Sequence, residues 1–382
     1  MKNGNWIDTQ AACALLGVKA QTLYAYVSRH RIRLKTDPRD ARQSLYFLPD
    51  LDRLLRQNRR PRARADVAQA AIRWGDPVLV TSISEVRDGT IWLREHAIED
   101  CARNMTLEET AALLCGFDHV TLPETRAKIS GTSLFARAMK TLAEEADGAP
   151  SLAGRDMSDM SREVGRALSL ITDACLAGHS SGPVHVRIGA KWGLTPEAVN
   201  VVRQALVLLS DHELNPSTFA VRVCASTGGS LAAALLAGVA TLSGPRHGGV
   251  ASLANQALHT TLEGRFEQFL AENADHPPYS FGFGHPLYSG GDPRAAYLLN
   301  LISRHSPVRQ AVAEASKRLS LPANIDIALA AAMRHFEWPD EAATTIFSVG
   351  RTAGWAAHAI EQAKSGTMIR PRAKYQAMSI DV

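Results

Sequence analysis

Three segments of the sequence combine glycine, proline and ionisable side chains in ways that helix packing does not require. In Gly244-Pro245-Arg246-His247-Gly248-Gly249, one histidine sits among residues that let the backbone turn tightly and approach a ligand closely. Taken alone, this segment reads equally well as a turn with an incidental histidine. A second histidine stands in Gly282-Phe283-Gly284-His285-Pro286-Leu287-Tyr288, and Asp292-Pro293-Arg294 places an arginine nine residues beyond it. A guanidinium is a planar fork that matches a carboxylate, so this pair suits an anionic carbonyl compound. Asn324-Ile325-Asp326 puts a carboxylate at the head of the apolar run Ile327-Ala328-Leu329-Ala330-Ala331-Ala332-Met333. A helix N-terminus favours the ionised form there, and a simple cap would look the same. Arg351 lies in Phe347-Ser348-Val349-Gly350-Arg351-Thr352-Ala353-Gly354-Trp355, with no acid within a helical turn. A buried arginine needs an anion, and a substrate is a candidate for it.

The elements that must hold these residues are mostly helices. Thr106-Leu107-Glu108-Glu109 is a capping box ahead of an apolar run, and Thr195-Pro196-Glu197-Ala198 opens an amphipathic helix with proline in its first turn. Leu231–Leu242 is too short to span a bilayer and reads as a buried helix. Strand-like patterning after Trp74 is confined to Pro77–Ser84 and Gly89–Leu93, a hairpin around Arg87-Asp88-Gly89. With 382 residues, 46% hydrophobic and 21% charged, the chain has enough apolar material for a large core, and disorder is excluded. Its five cysteines (Cys13, Cys101, Cys115, Cys175 and Cys224) are scattered and form no disulfide framework, which points to a reducing cytoplasm. The N-terminus lacks the apolar region of a signal peptide, so no membrane association is expected. The histidines show no zinc-binding spacing, so no metal is expected.

Charge is distributed unevenly. Formal net charge is +4, yet residues 1–65 carry 14 Lys/Arg against 5 Asp/Glu, which leaves the remainder acidic. Such asymmetry suggests a basic module joined to an acidic body. Thr9 is read as the cap of a helix over Gln10–Leu16 that stops at Gly17, and a second helix is read over Ala20–Arg29. Ala12, Leu15, Leu16, Val18, Leu23 and Val27 would make its small core, with Gln21, Thr22, Tyr24 and Tyr26 facing outward. The alternating run from Arg29 to Lys35 pairs with Ser44-Leu45-Tyr46-Phe47 as a basic wing. This order resembles the winged helix-turn-helix of MerR-type regulators. Gln21, Thr22, Tyr24, Arg29, Arg31, Arg33 and Lys35 are then the candidate DNA contacts. Charged, proline-containing residues 56–66 lack periodicity and mark a boundary, with a linker over 66–74.

From about residue 88 onward, the ordered set of motifs resembles the citrate synthase family: Asp211-His212-Glu213-Leu214-Asn215-Pro216-Ser217-Thr218-Phe219, Gly-Pro-x-His-Gly-Gly, Gly-Phe-Gly-His, Asp-Pro-Arg, Asn-Ile-Asp and Gly-Arg-x-x-Gly. The resemblance implies a mainly α fold, with a large helical domain over 75–250 and 336–382, a small inserted helical domain over 251–335, and a homodimer. It implies that His247, His285 and Asp326 are catalytic. It assigns His212, Arg294 and Arg351 to the carboxylates of oxaloacetate, and Arg370 to the partner subunit's site. His212, flanked by Asp211 and Glu213, would otherwise read as a surface residue. Two positions depart from the family pattern. Ser289 stands where a basic residue commonly helps bind CoA phosphates, and Arg246 replaces an apolar residue.

The implied reaction is condensation of acetyl-CoA with oxaloacetate and hydrolysis of citryl-CoA, with the thioester as substrate and no tightly bound cofactor. Asp326 would take the methyl proton, His247 would stabilise the enolate, and His285 would polarise the keto oxygen. Two alternatives are a 2-methylcitrate synthase using propionyl-CoA, and a non-catalytic DNA-binding regulator that senses CoA esters or 2-oxo acids.

Overall fold

Helix boundaries in the body fall where capping chemistry puts them. Thr106 accepts the Glu109 N–H at 3.3 Å while the Glu109 carboxylate accepts the Thr106 N–H at 2.7 Å, so the box starts Leu107–Cys115. Thr195 caps Pro196–Leu208 in the same way, and Ser133, Asn215 and Ser230 cap Leu134–Ala146, Pro216–Ser226 and Leu231–Leu242. The computed structural model describes residues 6–16, 23, 24, 27, 32–37, 40–51, 79–288, 290–373 and 375. Two units are distinguished, Met1–Val78 with Lys374–Val382, and Leu79–Ala373.

The larger unit is helical. Its central element is Ala342–Ser365, buried along most of its length and carrying both Arg351 and the fully buried Trp355. Around it pack Leu107–Cys115, Met157–Leu176, Pro196–Leu208, Pro216–Ser226 and Leu231–Leu242. Each leucine, isoleucine or valine removed from water in this core contributes about 1.5–3 kcal/mol. Three arginines, Arg94 from the hairpin and Arg137 and Arg203 from helices, fasten neighbouring elements to helix ends by donating to C-terminal carbonyls. Arg94 reaches Leu113 O at 2.8 Å and Leu114 O at 2.7 Å. Arg137 reaches Ala174 O at 2.8 Å, and Arg203 donates to Ala102 O at 3.0 Å and to Met105 O.

The expected hairpin is present but shifted. Its strands are Ser84–Arg87 and Thr90–Leu93, joined through Asp88 and Gly89, both at positive φ, and a two-residue strand His96–Ala97 completes the sheet. Among the described residues of Pro77–Ser84 only Ser84 belongs to the first strand. Ser82 gives its backbone N–H to Glu361 Oε1 at 2.8 Å and is anchored to a helix.

In the smaller unit, Trp6–Asp8, Asp40–Phe47 and Leu34–Asp37 form an antiparallel sheet with Asp40–Phe47 in the middle. Leu34 pairs with Tyr46 and Lys35 with Leu45, close to the register expected of the wing. The helix is Thr9–Leu16 and its cap is Asp8, whose Oδ1 accepts the Ala11 N–H at 2.8 Å, which corrects the assignment to Thr9. The core comprises Ala12, Leu23, Ile32, Tyr46 and Leu51, flanked by Ile7, Cys13, Leu16 and Val27, whereas Leu15 is exposed. Tyr24 is exposed as expected. Gln21, Thr22, Arg29 and Arg31, as well as Val18, Tyr26 and the linker over 66–74, lie outside the described residues.

Arg33 is already engaged. It grips Asp50 through Nε at 2.8 Å and Nη2 at 3.1 Å, and lies 3.9 Å from the centroid of the Phe47 ring. The Lys35 ammonium sits 4.3 Å from the centroid of Trp6. Both cations are therefore already satisfied within the sheet and are poorer phosphate contacts than their charge alone suggests.

Candidate active site

The turn holding His247 is built from backbone proximity. After Leu231–Leu242 ends, the Gly248 N–H donates to Leu242 O at 2.9 Å and the His247 N–H to Gly244 O at 2.9 Å. A side chain at 248 would overlap Leu242 O and one at 249 would overlap Pro245 O, so both glycines are needed. His247 Nε2 lies 2.9 Å from Ser217 Oγ, which accepts the Trp355 indole N–H at 3.2 Å. The single serine proton has two acceptors in reach, His247 Nε2 and Asn215 Oδ1 at 2.7 Å. Asn215 Oδ1, with two lone pairs, accepts both the Ser217 hydroxyl and the Thr218 N–H at 3.0 Å, so Ser217 is held in place beside the imidazole. Burial, assisted by the charge of Arg351, pushes His247 down to about 4, so the ring is neutral near pH 7. His247 and Asp326 line one cleft together with Phe135, Leu242, Ala251 and Phe347.

The Gly-Phe-Gly-His turn presents His285. Its Nδ1 accepts the Leu287 N–H at 3.2 Å, which puts the ring proton on Nε2. Burial and the nearby Arg294 hold it, too, at about 4. His212 is buried, contrary to a surface reading, and its ring meets that of His285 edge-on with centroids 5.2 Å apart. Burial, then Arg294 and Arg351, depress His212 well below the usual imidazole range. Three neutral imidazoles thus share one neighbourhood.

Asp292 ties the cationic side of the site to its base. Its carboxylate accepts Arg294 Nε at 3.0 Å and Nη2 at 2.8 Å, and Oδ2 also accepts the Ile325 N–H at 3.1 Å. Burial works against the Arg294 charge, but this ion pair outweighs it and raises the pKa of the guanidinium. Helix Ile325–His335 is capped by Asn324, whose Oδ1 accepts the Asp326 N–H at 3.0 Å and whose Nδ2 donates to Gly284 O at 3.1 Å. Capping is therefore performed by Asn324, and the Asp326 carboxylate is released from it. Burial lifts Asp326 to about 6 against the opposing pull of Arg294.

Arg351 is 1% exposed, and its Nε and Nη1 have no hydrogen-bond partner among the described residues. Burial lowers it to about 10 while the Asp211 carboxylate favours its charge, so it is cationic at neutral pH. Asp211 is fully buried between Ser84 Oγ and His358, whose Nε2 lies 3.3 Å from its Oδ1. Gly354 is where the helix touches this carboxylate: any Cβ there would overlap Asp211 and Ser210 O.

Of the residues singled out in the sequence, His212, His247, His285, Arg294, Asp326 and Arg351 are coupled electrostatically in one region. Arg370 is not among them. It is exposed beyond the end of Ala342–Ser365. Arg246 is exposed, and Ser289 lies outside the described residues. Tyr288, Ser217, Asp292 and His358 also belong to the region and were not singled out. Among the described residues, no group of three or more His, Cys, Asp or Glu side chains is arranged to hold a metal ion.

The helical architecture is that of citrate synthases. Citrate synthase from Thermotoga maritima MSB8 superposes with a TM-score of 0.64 at 22% identity, over 81% of this chain and 95% of that one. A ternary complex of Thermoplasma acidophilum citrate synthase with carboxymethyl coenzyme A and oxaloacetate gives the same TM-score, 0.64, at 22% identity, covering 79% of this chain and 94% of that one. These likenesses establish the fold. The family described as "Citrate synthase, C-terminal domain" matches residues 179–372, just over half of the sequence, and the chain belongs to the citrate synthase family. Citrate synthase 2 of Bacillus subtilis is 33% identical over 196 residues, 47% of this chain and 52% of that protein. The 2-methylcitrate synthase of Shewanella oneidensis is 28% identical over 333 residues, 75% of this chain and 88% of that protein. The chain spans about half the length of the first relatives it matches.

Proposed function

We propose that this protein condenses a short acyl-CoA with oxaloacetate and hydrolyses the resulting thioester. The observation that carries the reading is Arg351, a buried cation with two unpartnered donor nitrogens in the same region as Arg294. A dicarboxylate supplies the missing acceptors. His212 would add a neutral donor to the same anion.

Asp326 would take a proton from the methyl group of acetyl-CoA, and a carboxylate near 6 is mostly ionised at pH 7 while remaining a better base than an ordinary aspartate. His247, held neutral by burial, would donate a ring N–H to the thioester oxygen as enolate charge develops. The enolate carbon would attack the keto carbon of oxaloacetate. His285 would donate from Nε2 to the resulting alkoxide. Water would then cleave citryl-CoA, giving citrate and free CoA thiol. Closure of a large domain (75–250 and 336–382) over a small one (251–335) would keep water out until condensation is complete.

A second reading, 2-methylcitrate synthase, is favoured by the longer match to the Shewanella enzyme. One methylene alters pocket binding by about 1–3 kcal/mol, which leaves the choice to experiment. Offered oxaloacetate with acetyl-CoA or propionyl-CoA, the purified protein is expected to release thiol with at least one. Release with neither would overturn the proposal in favour of a sensor, for which the base at Asp326 has no use.

Residues 1–65 form, in this proposal, a winged helix-turn-helix accessory on a cytoplasmic homodimeric enzyme. The three-stranded sheet with a basic hairpin supports it. Because Arg33 and Lys35 are internally engaged, binding would rest on the other cations. A mobility-shift titration against duplex DNA should show affinity falling steeply with salt, with a log-log slope of about −0.9 per phosphate contacted. A salt-independent or absent shift would count against DNA as the partner.

A further inference from the structure

Tyr288 is a buried aromatic in a loop, 3% exposed, and it touches three site residues that come from separate segments. Its hydroxyl is 2.8 Å from His212 Nε2. Its ring lies on that of His285, with centroids 4.8 Å apart and planes inclined by 36°, and Arg294 stands 5.8 Å from its centroid. His212 and His285 are themselves in edge contact, so the phenol closes a three-ring cluster.

We propose that Tyr288 is a positioning residue for the oxo-acid: its O–H donates to Nε2 of His212, fixing the ring proton on Nδ1, while its ring holds the plane of His285. Both partners are neutral. Burial raises the phenol above its ordinary range, so it keeps its proton, and His212 is held deprotonated by burial and the two arginines. Between a neutral phenol and a neutral imidazole, the O–H is the better donor and the bare ring nitrogen the better acceptor. His212 therefore offers one fixed N–H, and the substrate carboxylate meets a preset donor instead of an equilibrium between two tautomers. The role of this N–H in oxaloacetate binding rests on the function proposed above, whereas the tautomer itself does not.

The test is Tyr288→Phe, which keeps the ring and removes the hydroxyl. The Michaelis constant for oxaloacetate should rise about tenfold, the cost of an unpaired buried polar group, with kcat and the acyl-CoA constant changed less than threefold. Nitrogen-15 NMR of labelled His212 in the ligand-free protein should show Nδ1–H as the single tautomer in the wild type and a mixture or the other tautomer in the variant. Calorimetric titration with oxaloacetate should show the same loss of affinity. An unchanged tautomer in Tyr288→Phe overturns the proposal. So does an equal fall in all kinetic constants with a lowered melting temperature, which marks a packing role. If the wild type turns over neither thioester, the functional reading fails, while the tautomer and the oxaloacetate titration still decide this one.

Discussion

Replacing Asp326 by asparagine is expected to lower turnover by about 10²–10⁴-fold while making the folded protein more stable above pH 7. The two effects share a cause. The folded carboxyl titrates at about 6, above its usual 3.8, so the native state binds that proton more tightly than the unfolded chain does. This contribution to stability is fully present below about pH 4 and is lost as pH rises through 6. Above that range the buried charge costs at most about 3 kcal/mol, some two pH units at ~1.4 kcal/mol each, less whatever the water-facing edge recovers. Asparagine carries no charge, so the variant's melting temperature should exceed the wild type's at pH 8 and match it near pH 4. In the wild type, turnover should fall as pH drops through about 6, whereas His247 and His285, at about 4, stay neutral throughout that interval. Wild-type turnover in the variant, or a lower melting temperature at pH 8, would refute the assignment of Asp326 as base. The same variant addresses Arg370: mixed with Arg370→Leu subunits, it should regain activity if that exposed arginine completes a neighbour's site.

Arg351→Leu should weaken oxaloacetate binding by roughly 30- to 1,000-fold, equivalent to about 2–4 kcal/mol for a desolvated charge pair. Two of its buried donors have no partner among the described residues, so a bound carboxylate would supply their acceptors. Removing Arg351 also removes the burial cost of its charge, while Asp211 keeps Ser84 and His358, so thermal stability should stay near that of the wild type. Titration calorimetry with oxaloacetate and a melting curve separate the two roles. A large loss of stability with unchanged affinity would make Arg351 structural.

The residues that proved most legible were those whose chemistry is local. The Thr106 box, the Thr195 cap and the three His and Asp turns announce themselves because glycine, proline and capping side chains act within four residues. Distant pairings were not legible. Asp211 and His358 meet across the core, and nothing in either sequence neighbourhood reveals it. The hydroxyl of Tyr288 meets His212 from 76 residues away, which its apolar neighbours do not mark. For Asp326 the local sequence left cap and base alike, and the contact that separates them, Asn324 Oδ1 accepting the Asp326 N–H, is a matter of side-chain geometry. The strand start expected upstream of Ser84 was misplaced for a similar reason: Glu361 claims the Ser82 backbone from far along the sequence.

That last contact also bears on the order in which the molecule can be made. Ser82 and Glu361 are separated by 279 positions, and Ser84 meets Asp211 across 127. Closing loops of this size is slow, because their entropy must be surrendered before any contact repays it. The helix bearing Arg351, His358 and Glu361 is the last described helix of the chain, so it leaves the ribosome after every other part of the cleft. During synthesis the earlier helices must wait with an unfilled centre and exposed apolar faces. A competent cleft therefore waits for Ala342–Ser365, and a chain stopped before Ala342 would keep most of the described helices while lacking the one they pack around.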